Sequence, residues 1–244
     1  MALIFLGISL AIWFNNWNDH RKERATEKNV LSQIYTEIKA SLGDIENDLS
    51  VLDQSLKSHY KILDALNSDQ AYEDGLAFDF YFLQKDEYTY PIRTTYERIK
   101  MDGLEIISND SLRYVIERLY EFGIPRIDKS EAFFPDISEH FKPFYIKNFR
   151  PNTDLGLSFI LYWADGDTTI YPRPNRVYFR EEKETIGYVP LDFQQLKKST
   201  EFKMLMSQTL EYRLYKIRQF NRIKFDSEYI MNMIEGILGK ENLR

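Results

Sequence analysis

The stretch that decides the fold is Leu31–Leu66, LSQIYTEIKASLGDIENDLSVLDQSLKSHYKILDAL, because its apolar residues recur with a helical period. Eleven large apolar side chains are separated by ten intervals over 35 residues, a mean of 3.5. They are Leu31, Ile34, Ile38, Leu42, Ile45, Leu49, Leu52, Leu56, Tyr60, Leu63 and Leu66. This spacing predicts one long helix that begins near Asp19, and only Gly43 weakens it, by about 1 kcal/mol relative to alanine.

Two arrangements of this helix are compatible with the pattern. A mean spacing of 3.5 residues is typical of a coiled-coil stalk that dimerises. The same helix could instead be the first helix of an intramolecular bundle. The steps of three and four residues alternate irregularly, and the flanking positions show no consistent pairing of opposite charges. These two features favour the bundle.

The segment before the long helix, Met1–Trp17, reads MALIFLGISLAIWFNNW and contains no charged residue. As a helix it would be about 25 Å long, which is short of the roughly 30 Å hydrocarbon core of a bilayer. Tryptophan followed by an abrupt change to polar residues is typical of a membrane boundary. We therefore predict a membrane anchor helix over residues 1–18. The anchor and interface residues are Leu3, Ile4, Phe5, Leu6, Ile8, Leu10, Ile12, Trp13, Phe14 and Trp17.

Two alternatives for this segment are weaker. A cleaved signal peptide would carry basic residues before the apolar run and a small-x-small cleavage site after it, and the sequence has neither feature in place. A helix buried in the protein core is the second alternative. The polar residues that follow Trp17 at once favour the anchor over both.

Two stretches of the chain resemble a known family. GISLAIWFNNWNDHRKER, at Gly7–Arg24, is similar to the segment GIxxAxxxNNWNExRK of DUF6090, a family of uncharacterised single-pass membrane proteins abundant in Bacteroidetes. TTYERIKMDGLEIISNDSLR, at Thr94–Arg113, resembles an internal pattern of the same family. Together they cover about forty residues. The resemblance implies a single-pass protein of the bacterial inner membrane, and it implies no activity.

The side of the membrane on which the body lies depends on the residues that flank the anchor. Arg21, Lys22, Arg24 and Lys28 follow the apolar segment and no basic residue precedes it, so the positive-inside rule alone predicts a cytoplasmic body. Members of the resembled family carry a basic extension and further apolar residues before this point. The absence of this basic extension suggests a translation start placed too late or a shortened anchor. An extension of that kind would reverse the orientation that the positive-inside rule predicts. We therefore expect a periplasmic body.

The middle of the chain predicts three further features. LAFDFYFLQKDEYTYPIR, at Leu76–Arg93, is aromatic and partly alternating, which indicates a short strand or a packed loop. Two helices, from Tyr96 to about Gly103 and over Asp110–Phe122, form a helical hairpin capped at its second helix by Ser108 or Asn109. Beyond them comes an aromatic, proline-containing stretch without a clear period.

The last third combines a small β insert with a long helix. Asp165-Gly166 lies between two β-rich runs and predicts a hairpin or a three-stranded insert at about 155–182. From Leu191 the helical period returns and continues almost to the C-terminus. The predicted fold class is therefore mainly α. A membrane helix continues into a long helix, followed by a helical hairpin, a small β-hairpin and a long C-terminal helix that packs back as a bundle, with one domain over residues 19–244.

Composition and motifs point to no reaction. The chain has no cysteine, which excludes disulfides and Cys-ligated metals, and its net charge of -6 without an arginine-rich tract argues against nucleic acid as a partner. Nucleophile-elbow, phosphate-loop and dinucleotide-binding motifs are absent. We interpret His20, His59 and His140 as surface or capping residues and Asp165-x-Asp167 as a turn. No catalytic residue, metal ligand or cofactor is predicted, and an enzyme is not favoured.

One basic cluster near the C-terminus is a candidate partner-binding face for acidic groups or lipid headgroups. It comprises Arg213, Lys216, Arg218 and Arg222. A solvated helix face balanced by the acidic first helix is the favoured interpretation. The predicted function is a membrane-anchored helical interaction or scaffold protein, a subunit or accessory of a membrane assembly, whose partners are the lipid bilayer and a protein or a second copy. The alternative is an enzyme or ligand-binding protein with a site in the aromatic segment 133–178.

Overall fold

A computed structural model describes residues 2–128, 135–152, 161–164, 176–179 and 187–239. In these ranges the chain is mainly α-helical, as predicted. The helices are α1 (Ala2–Asn67), α2 (Leu76–Leu83), α3 (Thr94–Asp102), α4 (Asp110–Arg118), α5 (Ile137–Asn148), α6 (Phe193–Lys198) and α7 (Thr200–Leu238). The strands are β1 (Phe149–Pro151), β2 (Leu161–Ala164), β3 (Arg176–Phe179) and β4 (Tyr188–Pro190).

The residues group into two compact units, where the sequence predicts one domain after residue 18. The first unit lies within residues 1–39, 91–122 and 225–244. The second unit lies within residues 40–90 and 123–224. The long helices predicted at both ends of the chain are confirmed, because α1 has 66 residues and α7 has 39.

The core of the first unit is built from α1, α3, α4 and the end of α7. Its buried apolar side chains include Leu31, Ile34, Ile38, Tyr96, Ile99, Leu112, Ile116, Ile230 and Ile234. The Tyr96 and Tyr120 rings stack with their centroids 4.4 Å apart. The face of α1 that carries these residues is thus buried within the chain itself, as the bundle alternative predicts.

The predicted helical hairpin of the first unit is confirmed, and its ends show why it forms. Gly103 ends α3 with a φ of 114°, a left-handed conformation that glycine adopts without strain. The Asn109 side chain caps α4 by accepting a hydrogen bond from the Leu112 amide at 3.0 Å.

Carboxylates of α1 accept hydrogen bonds from backbone amides at the start of α3 and two residues before the start of α4. The Glu37 carboxylate accepts hydrogen bonds from the Thr95 amide at 3.0 Å and from the Thr95 hydroxyl at 2.8 Å. The Glu27 carboxylate accepts from the Ser108 amide and hydroxyl, both at 2.7 Å. The first amides of a helix have no partner within the helix, so a carboxylate there stabilises the helix start.

The second unit has an aromatic core. Its buried cluster comprises Ile62, Leu66, Leu76, Phe80, Leu83, Ile137, Phe141, Phe144, Tyr145, Phe149, Phe193, Leu196, Phe202 and Met206. The Tyr145 and Phe149 rings stack at 4.2 Å, and the Phe144 and Phe202 rings stack at 5.2 Å. Rings from α5, β1 and α7 therefore interlock in one apolar cluster.

Two segments of the second unit differ from the prediction. Leu76–Leu83 is a helix, whereas the sequence indicates a strand or a loop, because seven of its eight residues are buried and a continuous apolar run has no period that distinguishes the two. The stretch around His140 is also a helix, α5, because the Asp136 side chain caps its start by accepting from the Ser138 amide at 2.8 Å.

The strands form two small antiparallel pairs. β1 pairs with β4, with Phe149 opposite Pro190. β2 pairs with β3, with Leu161 opposite Phe179 and Ala164 opposite Arg176. This second pair confirms a small β element within the predicted insert, while the Asp165-Gly166 turn lies outside the described residues.

The buried face of α1 departs from the predicted period at several positions, since Leu42 and Leu49 are only half-buried and Ser41 is buried. The helix buries Ser55, His59 and Ile62 instead of Leu56, Tyr60 and Leu63, and Tyr60 is 47% exposed. The apolar pattern is misleading here because the second unit buries polar residues of α1. The second unit also buries polar residues of α7, namely Thr209, Arg213 and Lys216.

Gly187 allows the closest backbone approach in the second unit. A Cβ at this position would lie 2.0 Å from the Ala77 carbonyl oxygen, and its φ of 153° disfavours other residues. We expect Gly187→Ala to lower the free energy of unfolding by about 3 kcal/mol, through strain and displacement of α2. Gly43→Ala is the matched control. It adds a methyl group where no atom lies within 4 Å, so it should raise stability by about 0.5–1 kcal/mol.

Urea denaturation of the two variants measures both values. A Gly187→Ala protein as stable as the wild type would contradict the described contact between Gly187 and α2.

Candidate functional site

The predicted anchor segment carries large apolar side chains that are exposed on all sides of α1. Eight of them are between 48% and 67% exposed: Ile4, Leu6, Ile8, Leu10, Ile12, Trp13, Phe14 and Trp17. The side chains of Leu3 and Phe5 lie outside the described part. Exposed apolar surface of this extent marks an interaction site with a protein or a membrane.

Within the described residues, no helix is both long enough and apolar enough to cross a membrane. The prediction of a single transmembrane pass is therefore not supported by this criterion. The apolar part of α1 ends at Trp17, and the helix continues without a break into charged residues.

Three of the basic residues that follow Trp17 share one face of α1, and the acidic residues lie on a different face. Trp17, Arg21, Arg24 and Lys28 are spaced four, three and four residues apart, so they lie on one face and outline an open depression. The Arg21 guanidinium lies 5.9 Å from the centroid of the Trp17 ring. This basic face, defined by these four residues, adjoins the apolar segment directly.

The four residues of the basic cluster of α7 differ in burial. Arg213 and Lys216 are 0% and 2% exposed, so the prediction of a surface face is wrong for these two residues. Arg218 and Arg222 are exposed, and a role in partner binding stays a prediction for them. Arg213 and Lys216 are buried because they lie on the side of α7 that faces the interior. The other buried residues on this side are Phe202, Met206, Thr209, Phe220 and Ile223.

Arg213 binds the end of α2. Its guanidinium donates to the Leu83 carbonyl at 2.6 Å and to the Lys85 carbonyl at 3.0 Å. Carbonyls in the last turn of a helix lack helical partners and carry partial negative charge, so a buried cation is stabilised there. Burial lowers the pKa of Arg213 to about 10, opposed by the charge of Asp86, and the side chain stays protonated at neutral pH.

Lys216 forms a buried ion pair one turn further along α7. Its ammonium lies 2.6 Å from the Asp86 carboxylate, and the two side chains are 3% and 2% exposed. The ammonium also lies 3.4 Å from the centroid of the Tyr88 ring. Asp86 accepts a further hydrogen bond at 2.8 Å from the amide of Ile137, the first residue of α5. Burial lowers the pKa of Lys216, and the charge of Asp86 opposes the change.

His59 lies near Arg213 and is 0% exposed, so its predicted surface role is wrong. Neither ring nitrogen has a hydrogen-bond partner among the described residues. Burial, together with the charge of Arg213, lowers the pKa of His59 to about 3, so the ring is neutral at physiological pH. His20 is exposed, and the His140 ring stacks on Tyr212 at 5.5 Å.

A polar contact also joins α1 to α2. The Ser58 hydroxyl donates to the Asp79 carboxylate at 2.9 Å, and the Lys61 ammonium lies 2.5 Å from the same carboxylate. Asp79 is 4% exposed, so this carboxylate is buried, whereas the Lys61 side chain is 60% exposed. Sequence patterning could not identify these buried polar residues of α1, α2 and α7, because each of them is of a type that is usually found at the surface.

The aromatic segment proposed for an alternative site is only partly described. Phe141, Phe144, Tyr145 and Phe149 are buried in the core of the second unit, and the Tyr145 hydroxyl donates to the Phe80 carbonyl at 2.7 Å. Residues 133–134, 153–160 and 165–175 of the segment lie outside the described residues. Among the residues that the structure describes, no group of three or more histidine, cysteine, aspartate or glutamate side chains could hold a metal ion.

Comparison of the chain with protein families, with curated proteins and with solved structures finds no match. The resemblance of the segments Gly7–Arg24 and Thr94–Arg113 to DUF6090 therefore stays a prediction.

The buried Lys216–Asp86 pair can be tested by a double-mutant cycle. Asp86→Asn and Lys216→Met should each lower the free energy of unfolding by about 3–5 kcal/mol, because each leaves a buried charge without its partner. The double variant should lose clearly less than the sum. The exposed pair Lys57–Asp53, at 3.2 Å on the surface of α1, is the matched control. Its equivalent variants, Lys57→Met and Asp53→Asn, should cost at most about 1 kcal/mol. Additive losses at residues 86 and 216 would contradict the buried pair.

The buried histidine predicts a pH dependence with a defined sign. The unfolded chain protonates His59 below its ordinary pKa of 6.5, whereas the folded chain does not until about 3. The folded state therefore loses stability as the pH falls through this window, by up to about 1.4 kcal/mol per pH unit. Relative to wild type, His59→Phe should become progressively more stable as the pH falls below 6.5. Urea unfolding across this pH range measures the difference.

Asp48 gives a control of opposite sign. Burial, followed by the charges of Glu87 and Asp44, raises the pKa of Asp48 to about 8 from 3.8. Its contribution is present at low pH and is lost as the pH rises through 8, so Asp48→Asn should gain stability over wild type at the alkaline end. If His59→Phe followed the wild type at every pH, the burial of a neutral His59 would be contradicted.

Proposed function

We propose that this protein is a membrane-anchored helical interaction protein, a scaffold or subunit of a membrane assembly. The apolar segment of α1, residues 3–17, inserts into a bilayer, and the helical body acts beside the membrane. The observation that carries this proposal is the set of eight large apolar side chains between Ile4 and Trp17, all of which are about half or more exposed.

The free energy of exposed apolar surface supports the proposal. Fully burying one large apolar side chain is worth about 1.5–3 kcal/mol relative to leaving it in water. The exposed side chains lie on all sides of α1, so a groove on a single protein surface would cover only some of them. A bilayer surrounds a helix completely, and the backbone groups of a helix are already satisfied by its own hydrogen bonds.

The end of the segment fits a membrane boundary. Trp13 and Trp17 close the apolar run, and Arg21 lies one turn beyond Trp17. Tryptophan is enriched at the headgroup level of membranes. The resemblance to DUF6090 extends the proposal to a single pass through a bacterial inner membrane with a periplasmic body. Protease accessibility of a C-terminal tag in spheroplasts tests the side: digestion of the tag supports a periplasmic body, and protection contradicts it.

Exposed side chains of the first unit offer contacts for a protein partner. Met101 on α3 is 82% exposed and Tyr114 on α4 is 62% exposed. The long helices α1 and α7 also present extended surfaces, which suits a scaffold. These features support the assembly part of the proposal.

Membrane insertion is tested by one charged substitution with a matched control. Ile8→Asp should lower partitioning of the full chain into lipid vesicles by about 100-fold, because an aspartate at the centre of a membrane helix costs about 3 kcal/mol. Ile146→Asp replaces an isoleucine that is 75% exposed on α5 and is not part of the apolar segment, so this variant should partition as the wild type does. Vesicle flotation measures both, and circular dichroism checks that each variant is folded.

Equal flotation of Ile8→Asp and wild type would contradict insertion of this segment. The assembly part has its own test, which is chemical crosslinking in native membranes. A stoichiometric complex formed by Ile146→Asp and lost in Ile8→Asp supports a membrane assembly, whereas a solitary chain in the membrane contradicts it.

A further inference from the structure

The basic face of α1 has cations without partners. The side chains of Arg24 and Lys28 form no ion pair or hydrogen bond with any residue in the described ranges, and Arg21 contacts only the Trp17 ring. All three side chains are exposed. Three uncompensated positive charges on one helix face form a local field that attracts anions.

The acidic residues of the same stretch lie on a different face of α1, and each has an ion-pair or hydrogen-bond partner. Asp19, Glu23 and Glu27 are spaced four residues apart, on a different face of α1. Asp19 pairs with Lys22 at 3.6 Å, and Glu23 pairs with His20 at 3.1 Å. Glu27 accepts from Ser108. The separation of signs means that these carboxylates do not neutralise the basic face.

The distance to a bilayer suits contact with lipid headgroups. With Trp17 at the boundary, the Cα atoms of Arg21 and Arg24 lie about 6 Å and 10 Å beyond it along the helix axis. Side chains of a helix lean toward its N-terminus, which is the direction of the apolar segment. Both guanidinium groups therefore reach the headgroup layer, and the Lys28 ammonium lies farther out, where salt screens its charge more strongly.

We propose that the face formed by Trp17, Arg21, Arg24 and Lys28 binds the headgroups of anionic phospholipids. This inference rests on the proposed membrane anchoring and names the lipid class that the anchor selects. Arginine matches the geometry of phosphate oxygens with two parallel hydrogen bonds, and the Trp17 ring lies beside the Arg21 guanidinium at the interface. The net charge of the chain is -6, so without a local basic face an anionic surface would repel the protein.

The test compares the full chain on two kinds of vesicle, pure phosphatidylcholine and an equimolar mixture of phosphatidylcholine and phosphatidylglycerol. Wild type should partition more strongly into the mixed vesicles, and added salt should reduce this preference. Each basic residue near an anionic surface contributes about fivefold in partitioning, so Arg21→Gln with Arg24→Gln should lower binding to mixed vesicles by about 25-fold. Binding to pure phosphatidylcholine should not change.

The control removes the same number of charges from another surface. Lys147→Gln with Lys203→Gln replaces two exposed lysines of α5 and α7, and its binding to mixed vesicles should equal that of wild type. Equal partitioning of wild type into both vesicles, or equal losses in the two double variants, overturns the inference while leaving the anchor intact. No binding of wild type to either vesicle instead overturns the proposed anchoring.

Discussion

The second unit depends on two buried cations of α7 that hold the residues after α2. Arg213 binds carbonyls at the end of α2, and Lys216 pairs with Asp86, which in turn accepts from the first amide of α5. A buried charge without a partner costs several kcal/mol, so the folded chain favours the arrangement in which both cations have their partners. The end of α2, the start of α5 and the buried side of α7 are therefore set together. The aromatic core stabilises this arrangement but does not specify it, because apolar rings pack in more than one way.

Carboxylates at helix starts apply the same constraint in both units. Glu37 of α1 accepts from Thr95 in the first unit, and Asp86 accepts from Ile137 in the second. Each contact joins residues that are at least 51 positions apart in sequence. The first amides of a helix need an acceptor, and a charged acceptor from another element fixes where that helix begins relative to it. Short helices of nine to twelve residues gain a defined position in this way.

Sequence patterning predicted the features that depend on local chemistry. The long helices, the cap at Asn109 and the end at Gly103 follow from period, capping residue and glycine, and all are present. Residues whose environment is set by distant partners were misread. Arg213, Lys216 and His59 are surface residue types, and nothing in a single sequence shows that they are buried. The helix α2 was missed for the opposite reason, since a run of apolar residues buried on nearly every side has no period.

The helix α1 carries both kinds of exception to the rule that apolar residues are buried and polar residues exposed. At Ser58 and His59 polar residues are buried, and there α2 and α7 supply polar and charged groups from within the chain. Between Ile4 and Trp17 apolar residues are exposed, and no described residue covers them. The first exception involves only groups within the protein, and the Ser58 hydroxyl has its partner in Asp79. The proposed bilayer would account for the second exception, since it is apolar on every side of an inserted helix and its charged headgroups would lie where the basic face begins.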